Sequence, residues 1–381
     1  MSPTPVTYQS PVQPASYSWE ATDEEVAARY DVPLGEIVRF DLNTSPEPPG
    51  LVGDLLARGR FETSLSEYPP SDYRRLVEAA ADTYGVASDE LLVGAGADEI
   101  LDLIGKAFLP PGSSAVIPVP SYAMYRVVTE QRPATVAAVT RRPAEAGWAI
   151  DVDALRLAAR DARLVWLCSP NNPTALAEPP GAIASLLEGM AADAAAAGSE
   201  PAIVALDEAY AEFVDESLLA LRFDHPNLVV VRTASKAYAL AGLRVGFAVA
   251  RPETIARIAP YRPPGSVSTV SVTAVTAALR APEAMRANVA RVETERDRLA
   301  DGLRGAGWRI GPSVTNFLLA DFGSADRAAA TAEALLRRGL VPRTFGAGHV
   351  LAGHLRVTVR NRDENDRLIA AAGEAAAEIG P

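Results

Sequence analysis

Short apolar runs rich in β-branched residues recur through the middle of the chain, at 91–93, 115–119, 135–139, 164–167, 203–206, 228–231 and 245–249, separated by stretches of helical composition. This alternation predicts an α/β protein in which crossover helices cover a sheet. Most of the runs are apolar throughout. Strands buried on both faces have that pattern, so a mostly parallel, seven-stranded sheet between helices is expected. Residues 97–108 and 182–197 read as two of the helices, and the alanine content of the second favours a helix by propensity alone. After about residue 265 the texture changes to a charged helical stretch over 282–303, followed by strands at 316–321 and 354–359 around a helix at 325–338. The expected organisation is an N-terminal arm (1–40) packing on a small domain or a partner, a large domain (41–265), a linking helix (266–304) and a smaller α/β domain (305–381).

Composition narrows the possible functions. With 381 residues, 48% hydrophobic and 22% charged, the chain is long enough for a substantial core, and disorder and collagen are excluded. A net charge of −12 repels phosphate backbones and anionic lipid, which argues against nucleic-acid and membrane partners. No run approaches the ~20 apolar residues of a membrane span, and the longest, 238–250, is broken by Arg244. The first twenty residues lack a basic segment and an apolar core, so they read as a mobile arm rather than a signal peptide. Cys168 is the only cysteine and cannot form an internal disulfide, which fits a reducing compartment such as the cytoplasm.

The basic residues are almost all arginine. Only Lys106 and Lys236 are lysines among 36 basic residues. A lysine kept in such a background points to a need for an amine that can lose its proton and attack a carbonyl. Three histidines offer little material for a zinc cluster or a Ser-His-Asp triad. Three apolar runs end in polar clusters: Ser169-Pro170-Asn171-Asn172-Pro173, Asp207-Glu208-Ala209-Tyr210 and Thr233-Ala234-Ser235-Lys236. In an open parallel sheet such clusters meet beyond the carboxyl ends of the strands, where ligands bind. Asp207 at a strand end needs a cationic or donor partner or acts as a plain cap, and a protonated pyridine nitrogen would serve as the partner. Arg244 lies between Gly242 and Gly246, where a phosphate could approach closely, or forms a structural ion pair. The run 93–99 passes through Gly94 and Gly96 into a helix start suited to an anion; a dinucleotide fingerprint would need a third glycine where Glu99 stands.

Taken in order, these motifs resemble the fold type I pyridoxal-phosphate aminotransferases, closest to the histidinol-phosphate aminotransferase group. The resemblance runs from Asn43-Thr44-Ser45-Pro46 through Tyr68-Pro69, Gly96-Ala97-Asp98-Glu99, Pro120-Ser121-Tyr122, Asn171-Asn172-Pro173-Thr174 and Asp207-Glu208-Ala209-Tyr210. It continues through Ser235-Lys236-Ala237-Tyr238 and Gly242-Leu243-Arg244-Val245-Gly246 to Leu355-Arg356-Val357-Thr358-Val359. It implies that Lys236 holds pyridoxal 5'-phosphate as a Schiff base, that Asp207 pairs with the pyridine nitrogen, that Asn172 and Tyr210 bond the phenolic oxygen, and that Tyr122 stacks on the ring. It further implies a phosphate held by Gly96, Ala97, Asp98, Thr233, Ser235 and Arg244, with Tyr68 reaching over from the partner of a homodimer. Arg356 matches the family's substrate-anion arginine, with Arg343, Tyr17 and Asn43 beside it.

The activity implied is amino transfer between a phosphorylated or carboxylated primary amine, histidinol phosphate or an amino acid, and a 2-oxo acid such as 2-oxoglutarate. Once displaced from the cofactor, Lys236 would act as general base, with Asp207 and Tyr210 as the other catalytic groups. The related phosphorylated-amino-acid decarboxylases carry similar motifs and form the nearest rival, and a nucleotide-dependent oxidoreductase using 94–99 forms a rival of another class. Two positions depart from the family pattern. Ala175 and Arg360 stand where glycine is usual, and Arg360 is expected to bring a second large cation near the anion arginine.

Overall fold

A computed structural model of the chain describes residues 16–61, 63–214 and 217–379. Its central sheet is built from seven strands: β1 (Leu91–Gly94), β2 (Ser114–Val119), β3 (Thr135–Thr140), β4 (Leu164–Cys168), β5 (Ile203–Asp207), β6 (Leu228–Thr233) and β7 (Gly246–Val249). The spatial order is β1-β7-β6-β5-β4-β2-β3, and only β7 runs against its neighbours, pairing antiparallel with β1 and β6. The remaining pairs are parallel.

The unbroken apolar runs are explained by burial on both faces. Val165 and Leu167 of β4 pack into one core with Val204 and Leu206 of β5, while Leu164, Trp166 and Cys168 face a second core with Ile203 and Ala205. Successive side chains of a strand alternate sides, so both parities must be apolar when helices cover both faces. Helices Ala182–Ala197 and Gly96–Phe108 lie on opposite faces: Leu186 and Leu187 join the first core, and Ile100, Leu101 and Leu103 the second.

A third core organises the C-terminal part. Strand Phe317–Asp321 pairs antiparallel with His354–Thr358 and with Arg309–Ile310, and helices Ala325–Leu336 and Arg362–Ile379 contribute Leu335, Leu368 and Ala372 beneath them. Residues 266–304 run as two helices: Thr269–Leu279 packs into the first core through Val272 and Val275, and Pro282–Gly305 into the third through Val292 and Leu299. Pro282 opens the second helix, where its missing N–H costs nothing. The third core also takes in Ala209, Tyr210 and Ala237 from loops of the central sheet, so it reaches the region where the polar clusters lie.

The N-terminal segment packs on this C-terminal part. Val38–Arg39 pairs in parallel with Leu340–Val341, the Tyr30 hydroxyl donates to Glu333 at 2.7 Å, and Glu20 accepts from the Thr344 backbone at 2.8 Å. Residues 1–15 of the expected arm lie outside the described residues. Among the described residues no helix is long and apolar enough to cross a membrane.

Candidate active site

Register brings the polar clusters level. Cys168 pairs across β4 and β5 with Asp207, and Asp207 across β5 and β6 with Val231, so three adjacent parallel strands release their loops at one edge. A cavity of about 680 Å³ opens there, lined by Asn172, Asp207, Tyr210, Thr233, Ser235 and Lys236. Ala97, Asp98, Tyr122 and Arg244 line it from the sheet side, and Tyr17, Asn43, Arg343 and Arg356 from the other. Two of the sequence-derived residues stand apart. Gly96 backs the wall, with positive φ and so little room that a Cβ would come within 2.5 Å of the Arg244 guanidinium. Tyr68 is 90% exposed and lies near Gly265, away from the cavity of its own chain.

Lys236 is half-buried, and its Nζ donates to the Asn43 carbonyl at 3.2 Å. Burial, reinforced by the positive charge of Arg356, pulls the amine down to about 8, where a neutral fraction exists near physiological pH. Asp207 is buried. Its carboxylate accepts from the Ala209 backbone at 3.0 Å and from the Tyr125 hydroxyl at 2.9 Å, and among the described residues no arginine or lysine is ion-paired with it. Burial pushes the group up to about 6, against the lowering effect of the Tyr125 and Ala209 donors. The next residue, Glu208, points to the opposite face of the strand end, where Arg232 donates to it at 2.8 Å.

Around these two groups, the Tyr210 hydroxyl accepts from Asn43 Nδ2 at 3.0 Å, and Asn172 Oδ1 accepts from Arg356 Nη1 at 2.5 Å. Arg356 also donates to the Asp41 carbonyl, is only 5% exposed, and keeps its Nε without a partner. Arg343 donates to the Ser18 carbonyl at 2.7 Å and lies 5.2 Å from the Tyr17 ring, fastening residues 17–19 across the mouth.

At the other end, helix Gly96–Phe108 begins with free backbone N–H groups at Ala97 and Asp98. Gly246 makes room for that start: a Cβ there would lie 2.5 Å from the Ala97 nitrogen. The Thr233 and Ser235 hydroxyls are 2.9 Å apart, and Arg244 and Tyr122 both contact the Asp98 carboxylate, at 3.1 and 3.0 Å. A buried carboxylate with no arginine or lysine ion-paired to it among the described residues, a half-buried amine of lowered basicity, and an anion cradle of helix N-terminus, hydroxyls and arginine fit the ring nitrogen, aldehyde and phosphate of pyridoxal phosphate.

Sequence reasoning missed Tyr125, which lies in helix Met124–Glu130, and it missed the wall formed by Trp19, Met124 and Val127. Arg360 is not itself in the cavity lining: its guanidinium pairs with Glu364 at 3.0 Å and donates at 3.4 Å to Thr44, which does line the cavity. Ala175 adopts φ +66°, the left-handed conformation that explains glycine as the usual residue there. Cys168 is inert by burial, its thiol pushed up to about 12.

The family model for aminotransferase class I and II matches residues 59–371. Histidinol-phosphate aminotransferase from Symbiobacterium thermophilum is 37% identical over 349 residues, covering 89% of this chain and 90% of that protein. Its counterpart from Thermococcus gammatolerans is 36% identical, covering 89% and 92%. The crystal structure of histidinol-phosphate aminotransferase from Sinorhizobium meliloti, in complex with pyridoxal-5'-phosphate, superposes with a TM-score of 0.84 at 24% identity over 95% of this chain and 96% of that one. These relatives do not favour the decarboxylase or the nucleotide-dependent oxidoreductase. The chain belongs to the aminotransferase class I and II family, and is a fold type I, pyridoxal-phosphate-dependent aminotransferase acting on small amines and 2-oxo acids.

Proposed function

We propose that this aminotransferase takes its amino group from a phosphorylated primary amine of the histidinol-phosphate type and passes it to 2-oxoglutarate, working as a cytoplasmic homodimer. The observation that carries the reading is Arg356, a buried arginine at the cavity wall with an unpartnered Nε, seconded by Arg343 at the mouth and set in a chain 36–37% identical to enzymes named for that substrate. An arginine held in a dry wall recognises a dianionic phosphate or a carboxylate through paired hydrogen bonds. The single buried thiol supports a reducing compartment.

When bound, the cofactor supplies the electron sink that makes the substrate's α-proton acidic. The residues of the chain do the rest. Lys236 would hold the cofactor until substrate arrives, and its amine, partly neutral near physiological pH, would then be the base that takes the α-proton. Asp207 keeps the ring nitrogen protonated. Asn172 and Tyr210 hold the phenolic oxygen, with Asn43 orienting Tyr210. Tyr122 covers the ring face. Ala97, Asp98, Thr233, Ser235 and Arg244 hold the phosphate, Gly96 lets Arg244 come close, and Tyr68 of the partner subunit completes the cradle. Arg356, Arg343 and Tyr17 would fix the substrate anion and so which bond at the α-carbon faces Lys236.

The test is an amino-donor screen with 2-oxoglutarate as acceptor, offering histidinol phosphate, histidinol and aromatic amino acids and measuring glutamate formed. Histidinol phosphate is expected to exceed histidinol in kcat/KM by at least a hundredfold, as loss of a charge-paired anion costs about 3 kcal/mol or more. Turnover of aromatic amino acids with none of histidinol phosphate would overturn the substrate assignment.

A further inference from the structure

One fully buried hydroxyl has no part in the roles above. Tyr125 has no exposed surface, yet its phenol oxygen donates to Asp207 Oδ2 at 2.9 Å, opposite the Ala209 N–H that serves Oδ1 at 3.0 Å. Its ring cannot swing away. It lies parallel to Trp166, centroids 5.5 Å apart at 8°, and meets Tyr122 edge-on at 5.6 Å. The Thr129 hydroxyl ties the segment down, donating to the Tyr125 carbonyl at 2.7 Å and accepting from Trp166 Nε1 at 3.1 Å. All four side chains, Tyr125, Thr129, Trp166 and Asp207, are nine-tenths or more buried.

We propose that Tyr125 is a positioning residue for the reaction, its hydroxyl holding the Asp207 carboxylate ionised and aimed at the cofactor's ring nitrogen. A buried carboxylate with two donors spends one lone pair of each oxygen on the protein and leaves the others for an incoming cation. A phenol suits the task. It donates without carrying a charge, so it stabilises the carboxylate without neutralising it, as a lysine or arginine in the same place would. Removing the donor leaves Asp207 desolvated with one bond fewer, so it takes up a proton more readily and pairs less well with a protonated pyridine. The edge-on contact of Tyr125 with Tyr122 couples the proposed stacking face of the site to the carboxylate beneath it.

The inference rests on the proposed pairing of Asp207 with the ring nitrogen, and the experiment separates the two. Apoprotein is titrated with pyridoxal phosphate and with its 1-deaza analogue, which lacks that nitrogen, and the two dissociation constants are compared. Wild type is expected to prefer pyridoxal phosphate, and Tyr125→Phe to reduce that preference about tenfold by weakening the natural cofactor alone. Thr129→Val, which disturbs the same packing without touching Asp207, is expected to lower the melting temperature and leave the preference unchanged. If Tyr125→Phe fails to fold, 3-fluorotyrosine at position 125, a stronger donor, is expected to increase the preference. A wild type that binds both compounds equally would overturn the Asp207 pairing and this inference with it. A wild-type preference kept in full by Tyr125→Phe, or both compounds weakened alike, would overturn the role of Tyr125 alone.

Discussion

Lys236 and Asp207 are displaced toward each other in acidity by one cause, burial, acting on opposite charges. For the lysine this has a kinetic consequence. Its amine reacts only when neutral, so uptake of pyridoxal phosphate by apoprotein, followed by absorbance, is expected to accelerate as pH rises toward about 8 and level off above it. A rate still climbing past pH 10 would show an amine of ordinary basicity. For the aspartate the consequence is thermodynamic. Its folded-state value of about 6 lies above the unfolded value near 3.9, so between those limits the folded apoprotein retains a proton that the unfolded chain releases. That contribution is complete below about pH 4 and is lost as pH rises to 6, by about 3 kcal/mol at most. Denaturant melts of apoprotein across pH 4–6 are expected to show this loss in wild type and not in Asp207→Asn. Lys236 was legible because lysine is so rare here. Tyr125 was not, because its partner is 82 residues away and nothing local marks it.

At the scale of elements, the meeting of β7 with the start of helix Gly96–Phe108 decides whether an anion cradle exists. Gly246 lies at that meeting, and a methyl group there has only backbone to displace. Gly246→Ala is therefore expected to push the helix N-terminus out of place, weakening pyridoxal-phosphate binding at least tenfold and stability by about 1–3 kcal/mol. Equilibrium dialysis and melts of the same preparations check both, and a variant with wild-type affinity would show that the cradle does not depend on this contact. The strands were legible to within a residue or two from apolar runs, and helix Ala182–Ala197 from its alanines. The break before Pro282 was harder to see. Thr269–Leu279 is apolar nearly all round, as a helix buried in the first core must be, so it carries no amphipathic stripe. The reversed direction of β7 was also hidden, since a strand buried on both faces looks the same either way.

For the whole molecule, the proposed homodimer would share each site between two subunits, with Tyr68, which lies exposed and outside the lining of its own chain's cavity, serving the partner. Chains carrying Tyr68→Ala and chains carrying Lys236→Ala are each expected to be nearly inactive as homodimers. Co-expressed, they form hybrids with one intact site and are expected to recover about a quarter of wild-type activity, half the dimers being hybrids with one site of two working. No recovery alongside demonstrated hybrid dimers would place Tyr68 outside the partner's site. Sequence alone determined the α/β class and the strand runs, because these depend on local periodicity, while the cofactor and the groups proposed to face it were implied by the resemblance of its motifs, in order, to an aminotransferase family. Only the tertiary structure decided which distant groups touch: Arg356 on Asn172 across 184 residues, Tyr125 on Asp207 and Arg360 on Thr44. The physical reason is that a side chain's charge and hydrogen-bonding capacity are fixed by its chemistry, whereas its partner is chosen by packing between elements far apart in the chain.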